Sequence, residues 1–95
     1  MSVNTTNLMA EFKQDLGYTT TALDERLQTC LQAAANAIIQ EGITDLDIEN
    51  VLDRELVLDY AAWTWRKRRE EVGLPRMLRW RLNNRLFELK TKAQN

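Results

Sequence analysis

The sequence predicts an all-α fold: a compact bundle of four helices, with a fifth helical turn left open at residues 43–50. Three observations predict it. Glycines at 17, 42 and 73 cut the chain into helix-sized lengths. Between them, apolar residues recur at three- and four-residue spacing. No alternating apolar–polar run is long enough to make a useful strand.

The first helix is expected at about residues 5–16. Leu8, Phe12 and Leu16 fall on one face, with Met9 at its edge. Gly17 follows as a natural terminator, because glycine takes a positive φ without a Cβ clash. The threonines after Tyr18 are poor helix interior and good N-caps.

The second helix is expected at about residues 22–41. Leu23, Leu27, Cys30, Leu31, Ala34 and Ile38 make one stripe. Alanines at 33, 34, 35 and 37 favour helix and close packing. Asp24 and Glu25 stand in the first turn, where carboxylates complement the helix dipole. Cys30 lies on the apolar stripe and reads as a small core residue, and a single cysteine makes no internal disulfide.

Residues 43–50, ITDLDIEN, are acidic and read as an irregular connection or a short helical turn. The third helix is expected from residue 51 or 53 to 69. Leu52, Leu56, Tyr60 and Trp63 would form one stripe, with Val57 and Ala61 beside it. Leu58, Ala62 and Trp65 fall on another side. A helix apolar nearly all round is expected at the centre of a bundle. Its acidic start and basic end, WRKRR, suit the dipole.

Gly73-Leu74-Pro75 breaks and restarts the chain, proline being tolerated where a helix begins. The fourth helix is expected to run to about residue 90. On a helical wheel, Leu78, Leu82, Leu86 and Leu89 cluster within about 80°. Trp80 and Phe87 fall together well away from them. Arg76, Arg79 and Lys90 lie between the two stripes, and Arg81 and Arg85 flank the leucines on the other side. A bundle helix needs one apolar stripe, and this one has two. Either arginine stems cover Trp80, or Trp80 and Phe87 face a second body, since tryptophan and arginine favour interface centres. Asn83 and Asn84 are unfavourable inside a helix. They are expected to be exposed, or partnered across a boundary.

Composition bounds the function. Ninety-five residues make one domain burying roughly 60–65% of its unfolded surface. No apolar run approaches the ~20 residues of a membrane span, so no membrane partner is expected. The chain has no histidine, and its glycines are too scattered for a phosphate-binding loop. That missing inventory argues against an enzyme and gives no metal or cofactor site. Residues 1–62 carry three cations against eleven carboxylates, net −8. Residues 63–95 carry ten cations against three carboxylates, net +7. The halves either neutralise each other within one subunit or present an acidic face to a neighbour's basic face.

The segments LDERLQTCLQAAANAII (23–39), LVLDYAAWTWRKRR (56–69) and PRMLRWRLNNRLFELK (75–90) together resemble the small head–tail connector, or head-completion adaptor, proteins of tailed bacteriophages and prophages. The resemblance covers roughly residues 8–90, and the final motif with its asparagine pair is its most specific part. The acidic 43–50 segment departs from the family's pattern. The resemblance implies an all-α adaptor of about a dozen subunits in a closed ring. Such a ring sits beneath the portal at the virion neck, after synthesis in the host cytoplasm. It extends the DNA channel without reading sequence, and receives a neck, stopper or tail-completion protein. Family and residues together point to subunit or portal contacts at Trp65, Arg76, Arg79, Trp80, Asn83 and Phe87. The acidic counterpart would be Asp45, Asp47, Glu49 and Asp53. Arg68, Arg69, Lys90 and Lys92 are the candidates to face channel or portal.

Two other readings compete. The basic helix at 75–90 could enter a DNA major groove, although the chain's pI of about 5.4 is low for such domains. A small regulatory or chaperone-like module, monomeric or dimeric, is the third.

Overall fold

The computed structural model describes residues 4–67 and 73–93. Among these, four α-helices and no strand occur: α1 (Met9–Leu16), α2 (Asp24–Gln40), α3 (Val51–Arg66) and α4 (Arg76–Ala93). A 3-10 turn, Thr6–Leu8, leads into α1, so the expected first helix begins as a tighter coil. The acidic segment 43–50 is turns, not a fifth helix. The expected end of the third helix, with Arg68 and Arg69, lies outside the described residues. The fourth helix continues past 90 to Ala93.

Each boundary has a local cause. Gly17 sits at φ 83° and closes α1 with two bonds, its own N–H to Gln14 O and the Tyr18 N–H to Lys13 O. Gly42 ends the chain leaving α2 at φ 118°, with its N–H on Ile39 O. Asn50 caps α3, its Oδ1 accepting from the N–H groups of Leu52 and Asp53.

α3 is the central helix and touches α1, α2 and α4. That position explains why the consecutive residues Leu56, Val57 and Leu58 are all buried. They pack with Phe12, Leu27, Leu31, Ile38, Ile43, Leu46 and Ala61 into one core. The expected α3 stripe is corrected at one end: Leu52 is 75% exposed, on the side of the first turn away from Asp53, which α4 covers. Cys30 is half-buried, and its thiol donates to Ala61 O across the α2–α3 seam. The N-terminal segment is tied down by Thr5. Its Oγ1 accepts from Gln28 Nε2 at 2.8 Å and donates to Gln32 Oε1 at 3.2 Å.

α4 lies on the outside. Leu78 and Leu82 are buried against the core, and Leu86 and Leu89 are half-buried. The molecule's shortest dimension, 19 Å, is about two helix diameters. The outer side of α4 therefore has no covering layer.

Candidate interaction surface

Among the described residues, the large hydrophobic side chains left exposed are Val51, Leu52, Met77, Trp80 and Phe87. All five belong to the start of α3 or to α4. On α4 they follow a 3,4 rhythm: Met77, Trp80, Asn84, Phe87 and Thr91 share an arc of about 80°, opposite the leucine stripe. Trp80 is 60% exposed and Phe87 72%, so no arginine stem covers them. The one cation–π contact among the described residues is elsewhere, with Lys67 Nζ 4.5 Å from the Trp63 ring centroid.

Leu52 and Trp80 line the same groove between α3 and α4, a cavity of about 180 Å³ with Leu56, Asn84, Arg85 and Glu88 in its walls. A second hollow lies between Arg76, Met77 and Trp80. Val51, Leu52 and Met77, which the sequence reading missed, join Trp80 and Phe87 at the surface. The signal for Met77 was its spacing to Trp80. For Leu52 it was the position two residues after an asparagine cap, ahead of the packed part of the helix.

Asn83 and Asn84 are both exposed, as are Arg76 and Lys90. Lys92 is exposed and 3.9 Å from Glu88. Four of the expected contact residues make contacts inside the subunit. Trp65 is 7% exposed and belongs to the monomer's own core. Its indole N–H donates to Tyr18 OH at 3.2 Å, and the two rings meet edge to face. Of the pair at 63 and 65, the one that leaves the core stripe is Trp63, half-buried against Tyr60.

The other three take part in ion pairs inside the subunit. Asp53 is 2% exposed and is held by Arg85, whose Nε donates at 2.7 Å and Nη2 at 3.1 Å. Asp45 accepts from Arg85 Nη2 at 2.8 Å. Arg79 binds Glu41 at 3.0 Å. Arg81 pairs with Asp59. These bonds join the basic fourth helix to the acidic first part of the chain, so much of the charge asymmetry is neutralised within one subunit. Hydrogen bonds to Asp53 raise the Arg85 pKa well above its usual value despite partial burial, and the Glu41 carboxylate raises that of Arg79.

Beside the exposed apolar residues, the charges that remain are separated by sign. Among the described residues, Arg76 and Lys90 beside the α4 stripe have no carboxylate partner. Asp47, Glu49 and Glu55, around Val51 and Leu52, are exposed with no cation partner. Asp47 and Leu52 line one hollow.

No group of three or more metal-ligating side chains converges among the described residues. No helix among them is long and apolar enough to cross a membrane. No family model, curated protein or solved structure matches the chain.

Proposed function

We propose that this chain is a subunit of a head–tail adaptor of a tailed bacteriophage or prophage. In this reading about a dozen copies close into a ring beneath the portal. The ring lengthens the DNA channel and gives a neck, stopper or tail-completion protein its docking surface. The residues act by position and shape, and catalyse nothing.

The observation that carries the reading is the second face of α4. Met77, Trp80 and Phe87 stand in water on the side opposite the leucines. An exposed apolar patch with aromatic centre and polar rim is the usual mark of a protein contact. The resemblance of residues 23–39, 56–69 and 75–90 to connector proteins supplies the identity of the partners. Lys92 keeps its place as a candidate to face channel or portal.

The ion pairs weigh against a groove-reading helix. Arg79, Arg81 and Arg85 would be needed on DNA phosphates, and each is committed to a carboxylate of its own subunit. Double-stranded DNA is a passenger in this proposal, not a recognised ligand.

Negative-stain microscopy of the purified chain, alone and mixed with the cognate portal, tests the assignment. The expected result is added density coaxial with the portal and displaced from its wall. Portal particles unchanged by a saturating excess of the chain would contradict it.

A further inference from the structure

The exposed apolar surface has two parts, which meet at the groove lined by Leu52 and Trp80 and differ in the charges around them. One is the shoulder at the start of α3: Val51 and Leu52, with Glu49 just before them and Glu55 one turn on. The other is the outer stripe of α4: Met77, Trp80 and Phe87, with Arg76 one turn before Trp80 and Lys90 one turn after Phe87. All four charges are exposed and lack an ion-pair partner among the described residues. The other carboxylates in that condition include Asp15 and Glu25, on α1 and α2, which carry no exposed large hydrophobic residue.

We propose that the α4 stripe of one subunit seats on the α3 shoulder of a second copy of this chain, Trp80 and Phe87 covering Val51 and Leu52 while Arg76 and Lys90 meet Glu49 and Glu55. This rests on the adaptor reading and names which faces mate. Three features on the molecule select a second copy as occupant. The apolar residues of both patches are exposed where the rest of the core-forming residues are buried. The unpaired charges beside them are opposite in sign, and opposite charge fixes register and partner choice across an interface. The arginines of α4 nearest the core are already neutralised internally, which leaves Arg76 and Lys90 as the unpaired cations of that helix among the described residues. A stripe-to-stripe pairing of two α4 helices in antiparallel register is disfavoured, because it would bring Arg76 of one copy towards Lys90 of the other.

Charge exchange tests the pairing on the full-length chain. One variant is Arg76→Glu/Lys90→Glu and the other is Glu49→Lys/Glu55→Lys. The substituted residues are exposed and unpaired in the monomer, so circular dichroism of both should match wild type. Sedimentation velocity is run on each and on an equimolar mixture. The wild-type chain is expected to self-associate below about 1 mM. Each variant alone should shift the midpoint upward by about tenfold or more, and the mixture should restore it, because each reversed rim then meets its opposite.

Wild type monomeric up to about 1 mM, either variant associating like wild type, or a folded mixture that stays apart would each overturn the pairing. A restored mixture that halts at a dimer would uphold the pairing and overturn the ring. Closed assemblies larger than a dimer would uphold both.

Discussion

Arg85 grips the Asp53 carboxylate with two hydrogen bonds, Nε to Oδ1 at 2.7 Å and Nη2 to Oδ2 at 3.1 Å, in the seam where α4 meets the start of α3. The same carboxylate accepts the Asp47 N–H at 3.0 Å, and Arg85 reaches on to Asp45. One side chain of α4 thus fixes the acidic turn, the α3 N-terminus and the groove beside Trp80.

Arg85→Ala leaves the Asp53 carboxylate buried without its cation. Removing one member of a buried pair costs about 3 kcal/mol or more. Replacing both members with leucine should recover much of that loss, because the desolvation penalty goes with the charges. Urea midpoints at neutral pH check both. A loss below about 1 kcal/mol for Arg85→Ala would show the pair to be a surface contact.

Asn50→Ala removes the side-chain oxygen that accepts two N–H groups at the start of α3. The expected loss is about 1 kcal/mol. Asn50→Asp should keep the fold at wild-type stability, since aspartate caps equally well. Thermal unfolding of the three proteins separates a capping role from a general one.

Gly42 and Gly17 make a matched comparison. Both have positive φ, but a Cβ at 42 would come 2.9 Å from Leu86 Cδ1, whereas none lies within 4 Å at 17. Gly17→Ala should cost about 1 kcal/mol for the left-handed backbone alone. Gly42→Ala should cost about 2–3 kcal/mol, because φ 118° is less accessible to a side chain and Leu86 must also move. Equal losses at the two sites would contradict the geometry.

Trp65 and Trp80 should behave as opposites. Trp65→Ala empties a packed core site and is expected to cost about 3–5 kcal/mol, a large share of a small domain's stability. Trp80→Ser and Phe87→Ser should each change monomer stability by less than about 0.5 kcal/mol. Urea titrations followed by circular dichroism check both expectations. A large loss at Trp80 would mean that the residue serves the fold and not a partner.

How the sequence reads against the structure depends on how local each feature is. The α2 stripe was legible because one neighbouring layer covers it: Leu27, Leu31, Ala34 and Ile38 follow the helix period and are buried. The second face of α4 was legible from the helix period too, Trp80 and Phe87 being seven apart and off the leucine arc. α3 was harder. It contacts three helices, so burial runs almost round it and periodicity no longer tells which tryptophan faces inward. The 200° between residues 63 and 65 says only that they part company. Trp65 found Tyr18, 47 positions away, as a hydrogen-bond partner. Arg85 was read as a flank of the leucine stripe, and its partners lie 32 and 40 residues earlier. Pairings at that range follow from how helices cross, which a single sequence does not encode in its spacing.

The central claim is that the outer face of α4 is an assembly surface, and co-sedimentation with the cognate portal tests it most directly. Wild-type chain is predicted to pellet with the portal. Trp80→Ala/Phe87→Ala is predicted to keep its helical circular dichroism and remain in the supernatant. A double variant that pellets as wild type does, or a wild-type chain that never joins the portal, would contradict the account.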